Sequence, residues 1–512
     1  MRFNVGSSLL IMLIVFVAAC PTAAFGQVVY DIDSIFSAWN KDKVPGCAIA
    51  VAQNGVPISV RGYGMADIEH NIRITPDTIF EAGSVSKQFT AAAILKLIEA
   101  RKLSLDTDVR AIIPELPDYG TTITIDQLMN HTSGLRDWGG VVRLAGWPRT
   151  SRVYSQKDAL KVITKQKSLN FEPGTESSYT NSGYNLLTEI VFRVSGKSLA
   201  EFSQDTLFRP LGMRHTRWRD NFRDIVIGRA QAYEWGSTGY FQEMPFENTY
   251  GNGGLLTTVG DLLIWNKALD DGVLGTFVTT KLSERSKLRD GRQLTYGRGL
   301  FNYTFKGVEE ISHAGSTAGY RAWLGRYPSQ KLSVAMLCNA GNAPTTLGRD
   351  VAARFLPKKN DLALQAKSLP EGLFVDQATG AVLTPQVYQS TKSRIVSKNR
   401  IELTGRDNNI AVYLKTPALV GSPISQSDYF GKYESDEVGA IYTIGTVAGG
   451  LMWRIEDKPD FEQKLVPIYE DAFRGDDAIL RFVRNESGRV IALTVGIERA
   501  RRIEFKRQTD GL

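Results

Sequence analysis

The residues from which chemistry can first be read are Ser84 and Lys87. They stand three apart in Ser84-Val85-Ser86-Lys87, and the apolar positions that follow, Phe89, Ala93, Ile94, Leu97 and Ile98, keep helical spacing. Residues i and i+3 share a helix face, so the spacing predicts a lysine amine beside a serine hydroxyl at the N-terminus of a helix. A serine alcohol becomes a competent nucleophile when a neighbour accepts its proton. A lysine does this when burial and nearby positive potential favour its neutral form. The helix N-terminus adds N–H groups and positive potential for a developing oxyanion. Taken alone, the same residues also read as a helix N-cap serine and a solvated lysine. The motif occurs once in the chain, and no Gly-x-Ser-x-Gly elbow competes with it.

Two further segments carry suitable groups. Tyr179-Thr180-Asn181 follows Glu172-Pro173-Gly174 and precedes a helix beginning near Tyr184. A tyrosine and an amide two apart in an extended loop project to one side, where the phenol can relay a proton and the amide can hold a carbonyl or the lysine. His313-Ala314-Gly315 ends one apolar strand shortly before another. Its small residues let a substrate approach the strand edge, with the N–H of Ser316 as a second oxyanion donor.

The elements that must position these groups follow from the apolar pattern. Helical spacing from about 28 to 40 predicts an opening helix. Strands are expected near 46–53 and 57–64, joined at Asn54-Gly55, and again at 308–313, 320–327 and 332–338. Helices and loops fill about 80–290. Strands at both ends of a helical region imply an antiparallel sheet built from both termini of a domain. A polar linker over 358–369 leads into an all-β meander or barrel over 370–512. Its expected strands are Arg400–Leu403, Asn409–Leu414, Ala440–Val447, Leu451–Ile455, Ala478–Val483, Val490–Val495 and Arg502–Phe505. Gly372-Leu373-Phe374 with Gly380 matches Gly431-Lys432-Tyr433 with Gly439 at the same internal spacing. That similarity divides the region into two related β units, 370–424 and 425–512, unless hairpins have merely reused glycine.

A chain of 512 residues exceeds one ordinary core, and 43% hydrophobic with 22% charged residues is globular composition. The net charge of +7 is spread over the chain, and no basic run interleaves with aromatics, so nucleic acid is not an expected partner. Arg2 precedes the short apolar run Leu9–Ala19, which has the shape of a secretory signal over 1–26. Two cleavages compete: Ala24-Phe25-Gly26 fits a small-x-small site, and Val17-Ala18-Ala19-Cys20 resembles a lipobox that would place a lipid anchor on Cys20. The first is favoured, and the expected location is periplasmic or secreted. Cys47 and Cys338 both lie in apolar strand-like runs and are expected as buried free thiols. The four histidines are scattered, so no metal or cofactor is expected.

Ser-x-x-Lys, Tyr-x-Asn and His-x-Gly in this order make the chain, over roughly 30–355, resemble the penicillin-recognising serine hydrolases: class C β-lactamases, DD-peptidases, D-aminopeptidases and related esterases. Pro45-Gly46-Cys47-Ala48, His131-Thr132-Ser133-Gly134-Leu135 and Gly253-Gly254-Leu255 are similar to further segments of that family. The resemblance implies an α/β sandwich with a central antiparallel sheet, flanking helices and an all-helical lobe, over 27–357. It implies that Ser84 is acylated and that Lys87 and Tyr179 manage its proton. Asn181, His313, Gly315 and Ser316 would bind substrate, and His131 would be structural. His313 stands where many members carry lysine, which turns the expectation from β-lactams toward small amides, esters or D-residue peptides. A β-lactamase, a slowly deacylating penicillin-binding or sensor protein, and a β region that binds the cell envelope are the rival expectations.

Overall fold

The computed structural model describes Met1 and residues 31–149, 151–357, 367–405, 407–418, 425–447 and 450–508. The expected signal segment, Cys20 and most of the expected linker lie outside these residues. Among the described residues no helix is long and apolar enough to cross a membrane.

A hairpin from the start of the domain and a four-stranded meander from its end meet to form the central sheet. Its six antiparallel strands run in the order Phe301–Phe305, Val308–Thr317, Tyr320–Tyr327, Leu332–Cys338, Cys47–Gln53 and Val56–Tyr63. The strand Cys47–Gln53 pairs with Leu332–Cys338, so the first and last strands of the expected order are neighbours. Side chains of a strand alternate between faces. Cys47, Ile49 and Val51 therefore join Val334, Met336 and Cys338 in one core, under the helix Leu347–Phe355. Ala48, Ala50 and Ala52 turn to the opposite face and join the larger core with Ala335 and Leu337. Three alanines in a row on that face leave room for the helix Val259–Asp270 to lie close.

The helical lobe is inserted between this hairpin and the meander. Its long helices are Lys87–Glu99 and Asn181–Ser195, which pack on each other. A three-stranded sheet in the order Phe80–Glu81, Leu255–Thr257, Arg217–Trp218 holds the chain just before Ser84 against the Gly253-Gly254 segment.

Beyond this first domain stand a four-stranded sheet and a nearly closed nine-stranded barrel. The former runs Leu373–Asp376, Ile410–Thr416, Arg400–Thr404, Lys392–Ser397. The barrel spans Gly431–Arg507 and its strands pair antiparallel throughout. The two differ in strand number and order. Their matched glycines nonetheless share left-handed backbone: φ is +122° and +146° at Gly372 and Gly431, and +78° and +71° at Gly380 and Gly439. The barrel is not free-standing. Val141 and Leu144 of the helix Trp138–Leu144 belong to its hydrophobic core, and Tyr442 donates to the Leu144 carbonyl at 2.7 Å.

Two expectations are corrected. Among the described residues from 31 on, the expected opening helix is a single 3-10 turn, Asp33–Phe36: Ile32 and Phe36 are buried and Ile35 and Trp39 pack beside them, but its N-cap residue makes no side-chain bond and one turn is all that forms. Cys47 and Cys338 are not free thiols. They are register partners on adjacent strands and form a disulfide. Residues so far apart in sequence give no local sign that their side chains meet.

The disulfide sets a thiol count. In a chain starting at Gln27 and unfolded without reductant, no thiol should react with a thiol reagent, and two should after reduction. Reactive thiols before reduction would disprove the pairing. Cys47→Ala with Cys338→Ala should lower the unfolding free energy by about 2–4 kcal/mol, read by denaturant titration.

Candidate active site

A cavity of about 500 Å³ opens where the helical lobe meets the edge of the central sheet, and Ser84 lines it. Ser84 lies in a 3-10 turn, Gly83–Ser86, that runs directly into the helix Lys87–Glu99. The end of the strand Val308–Thr317 crosses this turn at backbone contact distance. A Cβ on Gly83, where φ is +50°, would fall 2.7 Å from the Ser316 nitrogen. A Cβ on Gly315 would fall 2.1 Å from the Ala82 carbonyl oxygen. Both positions exclude a side chain, and their absence brings the Ser84 and Ser316 backbones to the same wall of the cavity.

The Lys87 side chain is completely buried. Its Nζ lies 3.2 Å from Ser84 Oγ and donates to Asn181 Oδ1 at 2.9 Å and to the Asn252 carbonyl at 2.6 Å. Burial holds its pKa well below the lysine range; Arg149 lowers it further, Asp137 pulls it up and Arg499 lowers it again. A neutral amine has two N–H groups and one lone pair. The two carbonyls take the N–H groups, which leaves the lone pair for the Ser84 hydroxyl.

Tyr179 and Asn181 come from the chain entering the helix Asn181–Ser195, whose N-cap is Thr180. The Tyr179 ring lies 4.7 Å from Lys87 Nζ. Its buried hydroxyl has no hydrogen bond of full geometry, and burial raises its pKa above the usual phenol range while Ser84 beside it acts in the opposite direction. Asn181 spends its carbonyl on Lys87, and its backbone N–H donates to Asp137 Oδ2 at 2.6 Å. Only its side-chain N–H groups are left for a substrate.

His131 and His313 sit behind this row in an aromatic cluster. The His131 ring packs on Tyr179 at 4.2 Å and on Tyr296 at 4.7 Å, and its Nδ1 accepts from the Thr180 N–H. His313 lines the cavity, but both ring nitrogens are occupied. Nδ1 lies 2.6 Å from the Ala314 carbonyl and therefore carries the proton, and Nε2 lies 3.2 Å from the Tyr296 hydroxyl and accepts from it. Burial pushes the His313 pKa down to about 3, with Lys87 adding to the effect and the Ala314 bond opposing it. The position where lysine was the alternative holds a neutral ring.

The structure thus gathers every residue expected in the site, Ser84, Lys87, Tyr179, Asn181, His313, Gly315 and Ser316, around one cavity or beneath it. It adds residues that spacing did not reveal. Asn252, just before Gly253-Gly254, anchors the lysine. Asp137 caps the helix Trp138–Leu144 and holds Asn181. Arg149 lines the cavity and is paired through both Nε and Nη2 with the buried Glu247. Glu247 lies 3.7 Å from Arg219, which is bonded to Glu81 in turn. Arg499 arrives from the barrel, with its guanidinium 4.9 Å from the Tyr179 ring. Among the described residues the side chains that come together as metal ligands would are Asp67, Glu69 and His70, which do not line this cavity.

The chain is similar to known proteins in sequence and in fold. A protein-family model described as Beta-lactamase matches residues 32–356. A D-aminopeptidase of Gluconobacter oxydans (strain 621H) is 29% identical over 347 residues, which cover 66% of this chain and 64% of the relative. A D-aminopeptidase of Brucella canis is 26% identical over 509 residues, 91% of this chain and 96% of the relative. Among solved structures, the octameric penicillin-binding protein homologue from Pyrococcus abyssi has a TM-score of 0.55 at 22% identity, covering 91% of this chain and 96% of that one. The D-amino acid amidase from Ochrobactrum anthropi SV3 complexed with D-phenylalanine has a TM-score of 0.54 at 20% identity, covering 63% and 96%. At these identities the structural matches speak for the fold alone.

The backbone contact at Gly315 can be tested directly. Gly315→Ala should push the strand end off the Ala82 carbonyl and lower turnover of any Ser84-dependent substrate by about 10²–10³, the scale of one lost oxyanion donor. Circular dichroism should stay near that of the parent. Undiminished turnover would show that the contact does not shape the site.

Proposed function

The chain belongs to the Beta-lactamase family, and from that footing we propose that it is an exported hydrolase that cleaves small amide or ester substrates, D-residue peptides among them, through an acyl-enzyme on Ser84. The observation that carries the reading is the hydrogen-bond arithmetic at Lys87: two acceptors consume its N–H groups, and the third neighbour is the serine hydroxyl.

The proposed course follows from this geometry. The Ser84 proton passes to the neutral Lys87 amine as Oγ bonds to the substrate carbonyl carbon. The carbonyl oxygen becomes an oxyanion against the N–H groups of Ser84 and Ser316. The C–N or C–O bond then breaks, and the leaving group takes the proton from Lys87 or through the Tyr179 hydroxyl, whose raised pKa keeps it protonated. Water repeats the attack on the ester, Lys87 accepts its proton, and Ser84 regains a hydrogen as the acid departs. The D-aminopeptidase relatives support amides as substrates. The neutral His313, in place of a permanent cation, is the observation that sets β-lactams second. Export rests on the N-terminal apolar run.

Four measurements test this. Incubation with p-nitrophenyl acetate should give an acetyl adduct by intact mass that disappears in Ser84→Ala, with turnover reduced on the order of 10⁴–10⁶; labelling that persists in the variant would refute the nucleophile. Lys87→Arg should be equally inactive, because a guanidinium does not give up its proton at any working pH. The pH profile of kcat/KM should rise as Lys87 loses its proton, at a pH well below the ordinary lysine value of 10.5, and show no limb near the ordinary histidine value of 6.5. N-acetyl-D-alanyl peptides and anilides should be turned over faster than nitrocefin; rapid nitrocefin turnover without amide cleavage would mark a β-lactamase, and a stable penicillin adduct without turnover a binding protein.

A further inference from the structure

The barrel contributes a residue to the cavity. Its strands Val490–Ile497 and Ala500–Arg507 are joined by the two-residue turn Glu498-Arg499, with Ile497 paired to Ala500. The turn is fastened to the catalytic fold on several sides. The Arg499 carbonyl accepts from the Asp137 N–H at 2.9 Å and from Asn170 Nδ2 at 3.1 Å. The Arg501 N–H donates to Asn170 Oδ1 at 2.8 Å, and the Arg501 guanidinium pairs with Glu176 at 2.7 Å. Ile497 and Ala500 close over Gly140, where an added Cβ would lie 2.9 Å from Ile497 Cδ1. A turn held at this many points does not wander, so the side chain at its tip is presented to the cavity from a fixed base.

The charge balance of the cavity gives that side chain a task. None of the lining residues is acidic. Lys87 and His313 are held neutral by burial. Arg149 carries a full charge, but Glu247 compensates it through two hydrogen bonds. Arg499 is different: among the described residues its guanidinium has neither an ion pair nor a hydrogen bond, and its one recorded contact is the face of Tyr179. The nearby Asp137 carboxylate is engaged by the backbone N–H groups of Gly140 and Asn181. Five donors in a planar fork, partly buried over Tyr179, match a carboxylate and repel an ammonium. Ser316, Thr317 and Thr345 bring hydroxyl donors to the same cavity.

We propose that Arg499 is a specificity-determining residue, supplied by the barrel to the active site, that selects substrates with a carboxylate beside the scissile amide over substrates with a free ammonium there. The inference rests on the Ser84 acyl-enzyme reading and narrows its substrate class to acylated amino acids or peptides with an anionic group near the reacting carbonyl. Arg499 lies outside the 32–356 segment that carries the family match, so the selection is an addition to the shared catalytic fold.

A competition experiment separates this inference from the reading beneath it. Acetylation of Ser84 by the uncharged p-nitrophenyl acetate is followed in the full chain while N-acetyl-D-alanine, N-acetyl-D-alaninamide or D-alaninamide competes. The first two are equal in size and are anionic and neutral; the third, without the acetyl group, is smaller and cationic. In the parent the anion should inhibit about 10- to 100-fold more tightly than the neutral amide, the range of a charge-assisted hydrogen bond, and the cation should be the weakest. Within Arg499→Ala the ratio of anion to amide should fall to about two or less, within Arg499→Lys it should be partly kept, and within Arg499→Glu the cation should become the best of the three. Adding salt should shrink the parent's ratio. Equal inhibition by anion and amide in the parent, or a preference that survives in Arg499→Ala and Arg499→Glu, overturns the inference while leaving the acyl-enzyme intact. Failure of the probe to label Ser84 overturns both.

Discussion

The burial of one amine is the constraint on which the remaining structure turns. Lys87 lies beneath Ser84 with no contact to solvent, and three elements, two of them distant in sequence, supply what surrounds it. The turn Gly83–Ser86 supplies the hydroxyl, the start of the helix Asn181–Ser195 the amide oxygen, and the segment before Gly253-Gly254 a carbonyl. A charged ammonium there would have to be stripped of water with no carboxylate in direct contact, and the group avoids this by remaining neutral. The neutral form is also the one that can take a proton from serine. Catalytic competence and the cost of desolvation thus favour the same protonation state.

Around this amine the charges are arranged in layers. Glu81, Arg219, Glu247 and Arg149 form a chain of alternating sign, nearly all of it buried, from the small three-stranded sheet to the cavity wall. Each interior charge has a partner, the condition under which buried ions are tolerated. The chain ends on Arg149, which adds to the positive potential that keeps Lys87 unprotonated. The histidines behind Tyr179 add no charge, because aromatic packing removes water from both and the available bonds are those of neutral rings.

The barrel and the site are joined through two successive residues. Arg136 is buried and bonds to Glu437, the Arg501 and Arg502 carbonyls, Gln166 and Ser168. Asp137, the next residue, receives the Asn181 N–H on its carboxylate and gives its own N–H to Arg499. A displacement of the barrel is therefore transmitted to Asn181, and from there to the lysine. The β region is structurally part of the catalytic unit.

The sequence by itself determined the local elements and the identity of most reacting groups. Helical spacing after Ser84 is a property of neighbouring residues, and so is the Asn54-Gly55 hairpin, whose strands formed as expected. The strands expected at 308–313, 320–327 and 332–338 formed, the first running on to Thr317; the last was readable because both its faces are apolar, while the other two carry Glu309, Glu310, Arg321 and Arg326 among their apolar residues. Barrel strands with one buried and one partly exposed face, such as Gly450–Ile455, were readable from period-two spacing. Lys392–Ser397 and Lys458–Lys464 were not, since edge strands carry charge on exposed faces and lose the pattern. What only the tertiary structure decided are the meetings between distant segments. Neither Cys47 with Cys338, nor Asn252 with Lys87, nor the pairing that neutralises Arg149 leaves a periodic trace. Arg499 is the sharpest case: in sequence it is a hairpin tip in a β region, and it reaches the cavity only because the barrel closes over the helix Trp138–Leu144. Periodicity records which face of an element is buried; which other element covers that face depends on packing of the whole chain.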